Sequence, residues 1–272
     1  MDGTVFHKMS GSGNDFVMLD GRHTAPEPLT AARVRELCDR RLGIGADGLV
    51  LLTPVGDAQV RMDFWNCDGS VADMCGNAAL CSTRLAAYLE MAPAAGMRLV
   101  TRAGTFPTRL REGRGEWAEL NLPDFRLPAP PVGLDPGPGE APGSLATVGV
   151  PHLVVEVADL ERPDLMDRGR VLRSHSLLGP AGANVNFVAP DPGGSRWCVR
   201  TFERGVEAET LACGTGAVAV AAALIQGGKA KSPVEIVTRS GRPLSITATL
   251  SGGMARAVWL AGEGRLVFTG VL

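Results

Sequence analysis

The chain contains an internal repeat, and this repeat constrains the fold more than any other feature of the sequence. Four motifs of the first half recur in the same order in the second half, at an offset of 137 or 138 residues. The pairs are 99–104 with 236–241, 46–52 with 183–189, 63–66 with 200–203, and 74–78 with 212–217. Such self-similarity predicts two copies of one structural unit. Copies of this kind usually pack about a pseudo-twofold axis, which places equivalent residues opposite each other.

The repeat defines the expected domains. A length of 272 residues favours two domains. We predict an N-terminal repeat over residues 1–122, a connector over 123–147 and a C-terminal repeat over 148–263. Seven prolines lie between Pro123 and Pro142, together with several glycines. Proline at this density excludes a regular helix or a central strand from the connector.

Local patterns predict an α+β fold. Residues 60–66 and 196–203 are rich in aromatic and β-branched side chains and read as strands. Each is followed by a polar turn and then by an alanine-rich helix, over 76–89 and 214–226. A further helix is expected over 30–41, with Thr30 as its cap. The second alanine-rich helix is apolar on every side and should be buried. We therefore expect two pseudo-symmetric domains, each a mixed, mostly antiparallel, barrel-like sheet wrapped around a central helix, with an active site in the cleft between them.

The composition excludes several classes of protein. The formal net charge is -2 and 45% of residues are hydrophobic, which argues against a nucleic-acid partner or an anionic membrane surface. Neither an export leader nor an apolar run of about 18 residues is evident, so a cytoplasmic location is expected. The six cysteines form no CxxC pair and the four histidines show no ligand spacing, so no metal site is expected. Only three lysines could carry a Schiff base to pyridoxal phosphate.

Two of the six cysteines, Cys75 and Cys213, occupy equivalent positions at predicted helix starts. The positive end of a helix favours a thiolate. Its first N–H groups can also bind a carboxylate. In this sequence these are the backbone N–H groups of Gly76, Asn77, Gly214 and Thr215. If both helix starts point into one cleft, an α-carbon lies between two sulfurs.

Inversion of a stereocentre needs a base on one face and an acid on the other, and two thiols supply both without a cofactor. A buried cysteine in an apolar helix is usually a core residue. We accept that interpretation for Cys38, Cys67, Cys81 and Cys198. For Cys75 and Cys213 we reject it, because paired Cys-Gly starts in matching places fit core packing poorly.

Four motifs of this sequence resemble those of a known family. They are HKMSGSGNDFVMLDG (7–21), FWNCDGSVADMCGNAALC (64–81), NVNFV (184–188) and FERGVEAETLACGTGA (202–217). These motifs are similar to those of the diaminopimelate epimerases, within the wider group of pyridoxal-independent amino-acid racemases. The resemblance runs in the right order over most of the chain.

The resemblance implies a function for each matching residue. It implies that Cys75 and Cys213 are the acid/base pair of a cofactor-independent epimerase, with His152 assisting Cys75 and Glu203 assisting Cys213. It also implies that the distal centre of the substrate is held by Asn14, Asn66, Asn184 and Arg204, with Asp47 nearby. Finally, it implies a homodimer and a first domain that is completed by residues 264–272.

The chain departs from the family pattern at two positions. Val150 stands where many members have asparagine, and Leu80 stands where many have arginine. Val150 leaves open a racemase of another amino acid, such as histidine or another diamino acid. Proline-type racemases fit less well, because they typically carry histidine at the position of Asn77. From a different class, a thiol redox sensor or a non-catalytic binding module remains an alternative.

Overall fold

A computed structural model describes residues 3–24, 29–131, 133–191, 193–194 and 196–272. The chain divides into two compact units. Unit 1 comprises Met1–Asn121 and Ala261–Leu272, and unit 2 comprises Leu122–Leu260. Val132 of the predicted connector lies outside the described residues. The predicted α+β class is confirmed, since strands dominate both units and helices are few.

Unit 1 contains two helices and nine strands among its described residues. In chain order they are β1 (Val5–Gly11), β2 (Asn14–Asp20), α1 (Ala31–Cys38), β3 (Gly48–Gly56), β4 (Gln59–Asn66), β5 (Val71–Ala72), α2 (Gly76–Tyr88), β6 (Met97–Thr101), β7 (Gly104–Leu110), β8 (Trp117–Leu122) and, from the carboxyl-terminal end, β18 (Arg265–Val271). β1 pairs antiparallel with β2 and β18, and β2 pairs parallel with β3 across α1. β3 pairs antiparallel with β4, which pairs antiparallel with β5 and parallel with β6. The meander β6, β7, β8 is antiparallel.

Unit 2 repeats this order. Its elements are β9 (Phe125–Arg126), β10 (Ser144–Val148), β11 (Val150–Glu156), α3 (Leu165–Arg173), a 3₁₀ turn (Ser176–Leu178), β12 (Asn184–Pro190), β13 (Trp197–Glu203), β14 (Ala208–Thr210), α4 (Gly214–Gln226), β15 (Val234–Val237), β16 (Pro243–Ser251) and β17 (Met254–Glu263). β10 pairs antiparallel with β11, and β11 pairs parallel with β12 across α3. β13 pairs antiparallel with β12 and β14, and parallel with β15 across α4. β15 and β16 are antiparallel.

Each unit surrounds one apolar helix. α2 contacts β1, β2, β3, β4, β6, β7 and β18, while α4 contacts β10, β11, β12, β15 and β16. Both helices have 13 residues, and most of their side chains are buried. Side chains that line the outer helices α1 and α3 form a second hydrophobic cluster in each unit. The central-helix arrangement predicted from the repeat is therefore present in both units.

The structure differs from the expected elements in three places. The predicted connector contains the two-residue strand β9 and most of β10, because residues 144–148 lie beyond Pro142, the last proline of the connector, and are free to pair with β11. The helix expected over 30–41 ends at Cys38, although Thr30 caps it as predicted by accepting the N–H of Arg33. Helix α3 was not predicted at all. Among the described residues, no helix is long and apolar enough to span a membrane.

Candidate active site

Both predicted catalytic cysteines immediately precede the central helix of their unit. Cys75 has extended backbone angles (φ −135°, ψ 126°) before α2, and Cys213 has similar angles (φ −127°, ψ 108°) before α4. The carbonyl of each cysteine accepts the first intrahelical N–H at 2.9 Å, from Ala79 and Ala217. The N–H groups of the first turn therefore point out of the helix end, where they can bind an anion.

The remaining four cysteines have other environments. Cys38 and Cys81 are buried. Burial raises the pKa of Cys38 to about 12 and raises that of Cys81 well above its usual value. Burial also raises the pKa of Cys198, which is half-buried. These three side chains stay protonated at neutral pH. The core interpretation is wrong for Cys67, which is exposed because it begins the polar turn after β4.

In unit 1, hydrogen bonds join three of the predicted binding residues. Asn77, in the first turn of α2, donates from Nδ2 to Oδ1 of Asn14 at 2.6 Å. Asn14 in turn donates from Nδ2 to Oδ2 of Asp47 at 3.1 Å. Asn66 lies at the end of β4, where its Nδ2 donates to Oγ of Ser70 at 3.0 Å. The first turn of α2 is thus hydrogen-bonded to the first residue of β2 and, through it, to the residue that precedes β3.

A cluster of charged residues that the sequence did not reveal supports Asn14 and Asp47. Arg40 donates to both oxygens of Asp15, at 2.7 and 3.0 Å, and to Oδ1 of Asp47 at 2.8 Å. The buried Lys8 ammonium lies 2.6 Å from Oδ2 of Asp15 and also bonds the carbonyl of Gly45. Burial alone would raise the pKa of Asp15. The hydrogen bonds from Arg40 and Lys8 outweigh it and lower the pKa from 3.8 to about 2.

Asp15→Asn is expected to lower the free energy of unfolding by about 2 kcal/mol at neutral pH. A carboxyl whose folded pKa lies below its unfolded pKa stabilises the fold above the unfolded value and loses that effect as pH falls. The difference between variant and wild type should therefore shrink to about half near pH 3. Urea unfolding of both proteins at several pH values measures it. A difference that does not change with pH would show that Asp15 does not act through its charge.

In unit 2, His152 and Thr215 lie beside Cys213. Nε2 of the fully buried His152 is 3.0 Å from Oγ1 of Thr215, and that hydroxyl is 3.8 Å from Sγ of Cys213. Nδ1 of His152 is 3.3 Å from Nδ2 of Asn186, a residue that the sequence analysis did not single out. Burial, reinforced by the positive charge of Arg204, lowers the pKa of His152 to about 3. His152 is therefore neutral at physiological pH.

The other predicted residues of unit 2 lie at the adjacent ends of β12 and β13. Asn184 is buried at the start of β12, and its Oδ1 accepts the backbone N–H of Arg204 at 2.8 Å. Glu203 is the last residue of β13, and burial raises its pKa although the Thr210 side chain acts in the opposite direction. The repeat places Asp47 and Asn184 at the beginnings of equivalent strands, Asp47 just before β3 and Asn184 as the first residue of β12, and it places Asn66 and Glu203 at equivalent strand ends.

Gly216, like Asn186 a residue that the sequence analysis did not single out, lies against the side chains of Asn186 and Cys213. An added Cβ would be 2.3 Å from Oδ1 of Asn186 and 3.2 Å from Sγ of Cys213. Real Cβ atoms essentially never come within 3.0 Å of such an atom, so any larger residue at this position would require the Asn186 side chain to shift. The predicted pairings of His152 with Cys75 and of Glu203 with Cys213 stay predictions.

Solved structures with the same architecture define the broad class of the fold. A phenazine biosynthesis protein of the PhzF family from Bacillus anthracis matches with a TM-score of 0.76 at 15% identity, covering 100% of this chain and 99% of that chain. A hydroxyproline epimerase from Agrobacterium vitis matches with a TM-score of 0.71 at 17% identity, covering 100% and 91%. At these identities the likeness shows the fold alone, and the chain has the two-domain fold of this group.

Sequence relatives define the family within that class. The family model for diaminopimelate epimerase matches residues 6–118 and 144–255. The diaminopimelate epimerase of Gemmatimonas aurantiaca is 45% identical, over 97% of this chain and 98% of the relative. That of Aquifex aeolicus is 39% identical, over 98% and 97%. The chain belongs to the diaminopimelate epimerase family.

Proposed function

We propose that this protein is an isomerase, a diaminopimelate epimerase that interconverts LL- and meso-2,6-diaminopimelate. Family membership over nearly the whole chain supports the substrate. The observation that carries the reaction type is the matched placement of Cys75 and Cys213 before equivalent central helices of two repeated units. The product would supply lysine and peptidoglycan precursor biosynthesis.

In the proposed mechanism Cys75 and Cys213 act on opposite faces of one substrate molecule. One cysteine, as thiolate, takes the α-proton from one face of the substrate, and the other, as thiol, delivers its proton to the opposite face. The first sulfur leaves the step protonated and the second leaves it as thiolate, so the reverse reaction exchanges their roles. The family resemblance assigns Glu203 to Cys213 and His152 to Cys75. Within unit 2, His152 also reaches Cys213 through the hydroxyl of Thr215.

The carbanion-like transition state places negative charge on the α-carboxylate. The backbone N–H groups of Gly76, Asn77, Gly214 and Thr215 would hold that carboxylate at the positive ends of two helices. Fixed donors in a water-poor site stabilise developing charge strongly. The two thiols and these donors together supply the proton transfers and the charge stabilisation, so the mechanism uses no cofactor.

Recognition of the distal, non-reacting centre is assigned to Asn14, Asn66, Asn184 and Arg204. A guanidinium can bind a carboxylate through two parallel hydrogen bonds, which suits Arg204 to this task. Asp47 fits a supporting position, because one of its oxygens accepts from Asn14 and the other from Arg40.

We place the enzyme in the cytoplasm as a homodimer that acts on a small amino acid, with neither a membrane nor a nucleic acid as partner.

The proposal is tested by incubating the reduced protein with LL-diaminopimelate in deuterium oxide, without added pyridoxal phosphate. We expect the meso isomer to accumulate with deuterium at the inverted α-carbon, because the delivering thiol exchanges its proton with solvent. Chiral chromatography and mass spectrometry measure both. Reduced, folded protein that exchanges no α-proton would contradict the epimerase function.

A racemase of another amino acid is the second candidate, and Val150 is the observation that favours it. Val150 is half-buried at the start of β11, two residues before His152, and offers no side-chain amide. A panel that includes histidine and other diamino acids, run under the same conditions, separates the two. Faster exchange of another amino acid would preserve the mechanism and change the substrate.

A thiol redox sensor would instead gain its function on oxidation, whereas an epimerase would lose activity and recover it with reductant.

A further inference from the structure

A chain of hydrogen bonds runs through the core of unit 2 and begins at a backbone carbonyl. Nδ2 of the fully buried Asn186 lies 3.2 Å from the carbonyl oxygen of Leu153. A carbonyl can only accept, so the amide nitrogen of Asn186, and not its oxygen, must face Leu153. Oδ1 then points the other way and accepts the hydroxyl of Thr201 at 3.0 Å. Leu153 and Thr201 together fix the orientation of the Asn186 amide.

The orientation of Asn186 determines which nitrogen of His152 carries the proton. Nδ1 of His152 faces Nδ2 of Asn186 at 3.3 Å. An amide nitrogen only donates, so Nδ1 must accept and must be unprotonated. In a neutral imidazole the proton is then on Nε2. Nε2 therefore donates to Oγ1 of Thr215, 3.0 Å away.

The series of hydrogen bonds ends at the sulfur of Cys213. A hydroxyl has one proton and two lone pairs. Because Thr215 already accepts the N–H of His152, its own proton remains available for Sγ of Cys213, 3.8 Å away. A thiolate can only accept such a bond. The direction of every bond from Leu153 to Cys213 thus follows from the first one.

We propose that Asn186 is a positioning residue that, through the fixed tautomer of His152, directs the hydroxyl of Thr215 to the sulfur of Cys213 and stabilises its thiolate. The role builds on the proposed function, in which Cys213 is one of the two proton-transfer groups. It assigns a task to two side chains, Asn186 and Thr215, that have none so far. The opposite tautomer would make Nε2 an acceptor, and Thr215 would then donate to His152 and not to Cys213.

The last hydrogen bond of the series, from Thr215 to Cys213, is tested with a matched pair of variants, Thr215→Val and Thr215→Ser. Valine keeps the shape and the backbone N–H but removes the hydroxyl, whereas serine restores it. Both are made with Cys75→Ala and labelled with iodoacetamide at about pH 7.5 without substrate, and mass spectrometry follows the peptide that contains Cys213. We expect Thr215→Val to slow alkylation by roughly three- to tenfold, because less thiolate is present although each thiolate is more reactive. Thr215→Ser should react at the parent rate.

The effect of Asn186 on the tautomer of His152 is tested by NMR of the ring nitrogens in protein labelled with ¹⁵N-histidine. The signals of His152 are assigned by their loss in His152→Gln. We expect an unprotonated Nδ1 and a protonated Nε2 in the parent protein. Asn186→Leu, which is similar in shape but has no N–H, should produce a protonated Nδ1 signal beside the original one. Thr201→Val removes only the bond to Oδ1 and should leave the tautomer unchanged.

Two results would overturn the proposal. One is a parent protein in which Nδ1 of His152 carries the proton. The other is equal alkylation of Cys213 in the parent and in Thr215→Val. If Asn186→Leu does not fold, the parent spectrum and the Thr215 pair still decide the matter. Neither measurement uses substrate. A result that contradicts the proposed series of hydrogen bonds can therefore be told apart from a result that contradicts the proposed epimerase activity.

Discussion

Cys75→Ala and Cys213→Ala are each expected to reduce epimerase turnover by about a hundredfold to ten thousandfold. Each variant removes the only proposed acid or base on one face of the substrate, and the remaining thiol cannot reach the other face. Binding of diaminopimelate should be affected much less, because the backbone N–H groups that follow each cysteine remain. Stereospecific assays give turnover, and calorimetric titration gives the dissociation constant.

Cys198→Ala is the matched control for these variants. Cys198 is a half-buried thiol within β13, and its pKa is raised by burial, so it should not act as a base at neutral pH. We expect the control to retain the turnover of the wild type. Wild-type turnover in either Cys75→Ala or Cys213→Ala would exclude the two-thiol mechanism, whatever the substrate is.

Gly216→Ala is expected to damage both stability and activity. Its Cβ would lie 2.3 Å from Oδ1 of Asn186, a side chain held by Leu153, His152 and Thr201 and therefore unable to move freely. Forcing one extra carbon into a packed site typically costs about 1–3 kcal/mol. Displacement of the reacting group by about 1 Å can cost about a hundredfold in rate, and we expect a turnover loss of that order. Thermal unfolding and the stereospecific assay measure the two effects.

Gly96→Ala provides the control for this substitution. Gly96 precedes β6, and a Cβ there would meet no described atom within 4 Å. The control should leave the unfolding temperature and the turnover close to those of the wild type. If Gly216→Ala behaves like Gly96→Ala, the close packing around Asn186 and Cys213 is not required for function.

The repeat explains why so much of the fold could be predicted. The helix expected over 214–226 is α4 with the same boundaries, since an apolar run between Cys213 and two glycines has clear ends. Helix α3 was missed because four of its nine residues are charged, and because Gly169 lies in its interior, where glycine disfavours a helix. The structure gives the reason for this glycine. An added Cβ would lie 2.8 Å from Cβ of Phe202, so glycine allows α3 to pack closely against β13.

The candidate site could be predicted only in part, for a related reason. Cys75 and Cys213 stand out because the repeat relates them directly. Lys8, Asp15 and Arg40 lie in three separate segments, and only folding brings their charges together around Asp47. Asn186 lies within the NVNFV motif (184–188), but its importance depends on contacts with Leu153, His152 and Thr201, which no local spacing reveals.

The pairing of β18 with β1 has a consequence for biosynthesis. Residues 265–271 follow all of unit 2 in the chain, yet they form the antiparallel neighbour of residues 5–10 and are the source of several contacts to α2. Domains commonly fold in the order in which they leave the ribosome. Here the unit that emerges first lacks one of its strands until synthesis has passed through the whole of the second unit. The edge of β1 then stays open during translation, so unit 2 has time to fold while unit 1 is still incomplete.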